Sequence, residues 1–318
     1  MSILLNNQGY DNNTWYQALT ELLPEKHVYV YNRVPSIDEI ADEIEYAVIW
    51  NHPPGDLQRY PNLKGILLLG AGTEHIDQDT NVPDLPIVRL IDPEVLQDMA
   101  LYTLYWVMNL HRRYDVYRQQ QQESNWLRHD ICMPADYSIT VLGLGAVGKT
   151  VASRLRSNGF TVRGWDAYPQ QLEHVECFSG KGALPEALSH TDVLVNCLPL
   201  NPATRYFIDR DVLGQLPKGA ALINISRGDV IHDDDLLSAL DSEHLSAAVL
   251  DAFTVEPLPE NSPYWHHPKV TVTPHMSGAT YARSAARLIV ENIQRIERGE
   301  NPFPLHQHPS QQQLLAAQ

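Results

Sequence analysis

Residues 139–148 read Ile-Thr-Val-Leu-Gly-Leu-Gly-Ala-Val-Gly, an apolar strand that runs directly into a GxGxxG turn. A helical pattern (Val151, Ala152, Leu155) follows, and a second apolar strand then ends at Trp165-Asp166, 23 positions after Gly143. That order predicts a strand–turn–helix–strand unit of an α/β protein and a dinucleotide site on it. Gly143 permits the tight turn, Gly145 lets a pyrophosphate approach the backbone, and Gly148 allows close helix packing. The N–H groups of Ala146 and Val147 at the helix start are donors for the negative charge. The carboxylate of Asp166 is suited to both ribose hydroxyls and repels a 2′-phosphate. Ala167 and Tyr168 bring no cation to offset that repulsion, so the expectation is NAD(H) over NADP(H).

The same alternation extends along the chain. Strands are expected near Ser2–Leu5, His27–Tyr31, Tyr46–Trp50, Gly65–Leu69 and Ile87–Leu90. A second series is expected near Ile139–Leu142, Thr161–Trp165, Val193–Leu198, Ala220–Ile225, Ala247–Leu250 and Val270–Thr273. Strands separated by helical stretches indicate parallel sheets with crossover helices. The expected fold is α/β with two Rossmann-like parallel-sheet domains, a dinucleotide-binding domain (98–281) inserted into a smaller substrate domain (1–97 and 282–318). A helical segment from Pro93 to Gln122 is apolar on too much of its circumference for a surface helix, so it is deeply buried or faces a partner chain. The tail from Gly299, with its His-Gln-His and Gln-Gln-Gln pieces, is expected to be loosely ordered.

Composition narrows the function. The 318 residues carry 39 acidic side chains against 23 Lys plus Arg, a formal charge of −16. Such an acidic chain lacks the basic footprint that nucleic-acid binding requires. Cys132, Cys177 and Cys197 have no CxxC spacing, so neither a disulfide framework nor a zinc site is expected. The chain has no long apolar run and no signal-peptide pattern at its start, which points to a cytoplasmic protein without a membrane partner.

Ligands of open parallel sheets bind beyond the carboxyl ends of the strands, and three polar residues stand there. Arg227 follows Ala221–Ser226, Glu256 follows the strand ending near Leu250, and His275 follows Val270–Pro274. A guanidinium can hold the carboxylate of a 2-oxo acid and polarise its keto oxygen. A histidine can deliver the proton that accompanies hydride transfer, and a neighbouring carboxylate orients the ring and favours its protonated form. Each has a plainer reading: an ion-pairing Arg, a solvated loop Glu, a His bonded to a backbone carbonyl. Their joint occurrence beside a dinucleotide motif outweighs those readings. His266-His267 precedes a proline and reads as a turn, and no metal is proposed.

These pieces carry a family resemblance. Gly143–Gly148, Asn224-Ile225-Ser226-Arg227-Gly228, Leu250-Asp251-Ala252-Phe253, Glu256-Pro257-Leu258-Pro259 and Thr273-Pro274-His275 resemble the D-isomer-specific 2-hydroxyacid dehydrogenases, in particular their glyoxylate/hydroxypyruvate reductase A-like branch. The resemblance runs from Trp50-Asn51-His52-Pro53-Pro54 to about Gly299. It implies NAD(P)H-dependent reduction of a small 2-oxo acid to the D-2-hydroxy acid, with Arg227 on the substrate, His275 as acid/base and Glu256 as its partner. It further implies that Asp251 contacts the nicotinamide carboxamide, that Ala71 and Gly72 bind the substrate carboxylate, and that Trp50 lines the substrate pocket. A homodimer through the long helix is implied as well. The chain departs from the pattern at Glu74, at Met276-Ser277-Gly278, and at Asp166-Ala167, where the branch commonly has Ser-Arg and uses NADPH. Two other readings fit the same residues: a formate- or phosphite-type dehydrogenase, and a dinucleotide-sensing interaction protein without catalysis.

Overall fold

A computed structural model describes residues 2–309. In chain order, β1 (Ser2–Asn7), α1 (Asn13–Leu22), β2 (His27–Val30), β3 (Ile44–Trp50), β4 (Gly65–Leu68), α2 (Glu74–Asp77) and β5 (Ile87–Val88) come first. α3 (Pro93–Arg112) and α4 (Tyr114–Gln122) follow. Then come β6 (Ser138–Leu142), α5 (Ala146–Ser157), β7 (Thr161–Asp166), β8 (Glu176–Ser179), α6 (Leu184–Leu188), β9 (Val193–Asn196), α7 (Arg210–Gly214), β10 (Ala220–Asn224), α8 (Asp233–Asp241), β11 (Leu245–Leu250) and β12 (Val270–Val272). The chain ends with α9 (Ala282–Glu297) and β13 (Leu305–His306). It divides into two compact units: the described residues up to Val95 together with those from Thr280 onward, and residues Leu96–Ala279.

In the first unit the sheet order is β13-β5-β4-β3-β1-β2. All neighbours pair in parallel except β13 with β5. All six residues of β1 are buried, as expected of a parallel strand covered on both faces. One cover is α1 with α9: Trp15 and Leu19 pack in one core cluster with Ala285, Ile289 and Ile293. Full burial of side chains such as Ile289 and Ile293 is worth about 1.5–3 kcal/mol each, which holds α9 to this sheet.

In the second unit the order is β12-β11-β10-β9-β6-β7-β8, parallel throughout. The chain runs outward from β6 through β7 to β8, then crosses back to place β9 on the other side of β6. The reversal between β6 and β9 is where an open sheet leaves a crevice at its carboxyl edge.

Three sequence expectations change. The segment 93–122 is two helices rather than one, because Arg113 takes a left-handed conformation (φ 55°) between them. β8 and β13 were not anticipated; the mixed Glu-Cys-Phe-Ser of β8 and the two residues of β13 carry no clear apolar period. The tail is tied down as far as residue 309: β13 pairs with β5, a His306 Nε2–Asp77 Oδ1 contact of 2.6 Å anchors it, and His308 Nε2 lies 2.9 Å from the Ile76 carbonyl. The Gln-rich run beyond lies outside the described residues.

Candidate active site

The glycine turn links β6 to α5. Gly143 adopts φ +85°, and a Cβ there would lie 2.9 Å from the Cys197 backbone, across the reversal point. A Cβ on Gly148 would come within 1.8 Å of the Gly143 carbonyl oxygen, so only glycine lets α5 start this close to the turn. Gly145, just before α5, faces open space, with nothing within 4 Å of a Cβ built on it. An exposed, side-chain-free backbone ahead of the Ala146 and Val147 N–H groups fits a pyrophosphate.

Asp166 ends β7 on the next strand. Its Oδ2 accepts a hydrogen bond from Leu144 N (2.8 Å) and its Oδ1 one from Tyr168 N (3.1 Å). Part of its negative charge is thus used to brace the glycine turn itself.

Arg227, Glu256 and His275 follow the three neighbouring strands β10, β11 and β12. His275 Nδ1 and Glu256 Oε2 are 2.7 Å apart, and Phe253 N donates to Glu256 Oε1 at 2.8 Å. Burial alone would raise the Glu256 carboxyl. The bonds from His275 and the Phe253 N–H, with the positive charge of Arg227, outweigh burial and hold it below its ordinary value. The ring bonds Glu256 through Nδ1, which leaves Nε2 as the nitrogen that could exchange a proton with a ligand. The His275 side chain is 43% exposed, so that nitrogen is reachable.

The surroundings fix these three groups. A Cβ on Gly228 would fall 2.1 Å from the backbone of Phe253 and Thr254, so the Arg227 turn is pressed against the loop that carries Glu256. Asn196, ending β9, donates from Nδ2 to Asn224 Oδ1 at the end of β10 (2.9 Å), and Asn224 Nδ2 donates to the Arg227 carbonyl (3.1 Å). His275 sits in the left-handed region (φ 50°), which costs a β-substituted residue roughly 1–2 kcal/mol. Asp251 holds that turn. Its buried carboxylate accepts from the Thr273 hydroxyl (2.5 Å), Met276 N (2.9 Å) and Ser277 N (2.8 Å). Tyr102 Oη lies 2.7 Å from Thr273 Oγ1 and extends the brace into α3, where burial pushes its phenol up to about 12. Sequence reasoning missed Asn196, Thr273 and Tyr102. Two asparagines at the ends of adjacent apolar strands were the visible signal for the first.

The remaining predicted residues lie in the first unit. Trp50 ends β3 and covers the loop after β4: a Cβ on Gly70 would meet its ring at 2.5 Å. The Trp50 and His75 ring centroids lie 4.4 Å apart with their planes tilted by 51°. In the same loop Ala71 is exposed, its carbonyl accepting from Arg89 Nε at 2.8 Å, and Gly72 is half-buried.

Residues 104–277 match the sequence profile described as "D-isomer specific 2-hydroxyacid dehydrogenase, NAD binding domain". A glyoxylate/hydroxypyruvate reductase A from Serratia proteamaculans (strain 568) is 36% identical over 308 residues, covering 95% of this chain and 97% of that protein. A D-isomer specific 2-hydroxyacid dehydrogenase from Xanthobacter autotrophicus Py2, solved in complex with NADPH and MES, superposes with a TM-score of 0.91 at 37% identity, covering 96% of this chain and 97% of that one. An NADPH-dependent glyoxylate/hydroxypyruvate reductase from Sinorhizobium meliloti, in complex with NADP and sulfate, gives a TM-score of 0.90 at 28% identity, with 96% and 98% covered. These complexes overturn the expectation of NAD(H) over NADP(H). The physical error lay in treating Asp166 as a free carboxylate, when both of its oxygens accept backbone N–H bonds.

Proposed function

The chain belongs to the D-isomer specific 2-hydroxyacid dehydrogenase family, and from that premise we propose that it reduces a small 2-oxo acid of the glyoxylate/hydroxypyruvate type to the D-2-hydroxy acid with NADP(H). The observation that carries this reading is the His275–Glu256 hydrogen bond on the strand ends that also carry Arg227. Gly143, Gly145, Ala146, Val147 and Gly148 would hold the dinucleotide, which supplies the hydride when bound. The proposed catalytic part of this chain is then an acid and an anchor. Arg227 binds the carboxylate and draws electron density from the keto oxygen. His275, oriented by ionised Glu256, gives that oxygen a proton from Nε2 as negative charge develops there. Asp251 is placed at the nicotinamide by the resemblance, while its bonds to the His275 turn give it a positioning role too.

The same reading assigns the unit from Leu96 to Ala279 to the dinucleotide and the other unit to substrate contacts, with Ala71 and Gly72 on the carboxylate and Trp50 limiting pocket size. It includes a homodimer, supported by Leu101, Tyr105 and Met108, which lie exposed at i, i+4, i+7 along α3. No helix among the described residues is long and apolar enough to cross a membrane; a cytoplasmic location belongs to the proposal.

Steady-state rates with glyoxylate, hydroxypyruvate, pyruvate and a bulkier 2-oxo acid, each with NADPH and NADH, test the reading. Formate and phosphite with NADP or NAD complete the panel. Glyoxylate or hydroxypyruvate with NADPH is expected to lead, and Trp50→Ala to shift preference toward the bulkier acid. Turnover confined to formate or phosphite, or no turnover with any oxo acid, contradicts it.

A further inference from the structure

Given the cofactor reading above, on which this inference rests, a 2′-phosphate must find a cation near the end of β7, and the chain lacks one at Ala167 and Tyr168. We propose that Lys181, on the turn after the neighbouring strand β8, supplies it and is the residue that sets preference for the phosphorylated dinucleotide.

The placement follows from the sheet. β8 pairs with β7 in parallel, with Asp166 opposite Ser179. Beyond that pair, Gly180 N donates to the Asp166 carbonyl (3.1 Å), and Trp165 Nε1 donates to the Gly180 carbonyl (2.9 Å). These two bonds pin the Gly180–Gly182 turn beside the residue that marks the ribose end of such a site. Lys181 itself is exposed and makes no ion pair among the described residues. Glycines flank it on both sides, and a Cβ built on either meets nothing within 4 Å, so the turn that carries Lys181 is uncrowded.

The competing cation is committed elsewhere. Arg163 pairs with Glu176 (2.9 Å), donates to the Glu186 carbonyl (2.9 Å), and lies over the Phe178 ring. From Asp166 to Glu186 the sequence contains no other Lys or Arg than Lys181. Asp166 does not forbid the arrangement, since its oxygens face the Leu144 and Tyr168 N–H groups. An ammonium is a compact point charge, enough to recognise a dianionic phosphate without a planar fork.

Calorimetric titration of the full chain with adenosine 2′,5′-bisphosphate and with 5′-AMP tests this without turnover. The unsubstituted protein is expected to bind the bisphosphate at least about tenfold tighter than 5′-AMP, the size of one charge-assisted contact. Lys181→Ala should lose about that factor for the bisphosphate while binding 5′-AMP within about twofold, and Lys181→Arg should recover most of it. If Lys181→Ala keeps a bisphosphate affinity within about twofold of the unsubstituted chain, the assignment to Lys181 is wrong and the cofactor reading survives. If the unsubstituted chain does not discriminate between the two nucleotides, the cofactor reading falls, and Lys181 with it.

Discussion

Glu256 is a single carboxylate whose environment sets its charge. Burial pushes it up, and His275, the Phe253 N–H and Arg227 together hold it below its ordinary value. A carboxyl lowered on folding stabilises the native state fully above its unfolded value, and that contribution is lost as pH falls through the lower folded value. Glu256→Gln is therefore expected to lower the urea midpoint at pH 7 and to cost progressively less below about pH 4.5. Equal losses at pH 7 and pH 3 would mean that the residue stabilises by packing rather than by charge. The placement of the proposed catalytic residues was legible before the structure: Arg227, Glu256 and His275 each follow a predicted strand, and they lie after β10, β11 and β12. Asp166 was misjudged because a sequence shows a carboxylate but not what its oxygens already accept.

At the scale of elements, β-strands with mostly apolar runs were readable because their burial on both faces leaves little room for polar residues. Ile139–Leu142 and Ala220–Ile225 are examples, with β6 and β10 falling on them. β8 was not readable: as an edge strand it presents Glu176 to solvent and keeps Cys177, Phe178 and Ser179 only partly buried. Its absence from the sequence reading also hid Lys181, whose position has meaning only once β8 lies against β7. The braces around the site were equally hidden. The Asp251–Thr273–Tyr102 chain joins residues 171 positions apart at its widest step, so no local pattern encodes it. Gly228 is a middle case, since its glycine was visible but its contact with the Phe253–Thr254 backbone was not.

For the whole molecule, the charge of −16 means that long-range electrostatics repel both an anionic dinucleotide and an anionic oxo acid. On the proposed function, binding then rests on short-range donors, with Arg227 and Lys181 as the cations proposed for the substrate and the dinucleotide. The apolar residues of α3 were legible, and its exposed Leu101, Tyr105 and Met108 frame the dimer proposal. Sedimentation equilibrium should give twice 36.0 kDa, and Tyr105→Glu should shift the protein toward monomer; a 36.0 kDa species at micromolar concentration would rule the dimer out. The proposed function turns on proton transfer from His275 to the keto oxygen during reduction. It is tested most directly by kcat for glyoxylate with NADPH in His275→Gln, alongside the NADPH Kd of the same variant. The expected result is a fall in kcat of about 100-fold or more with Kd within about twofold. A kcat within a few-fold of the unsubstituted enzyme would contradict it.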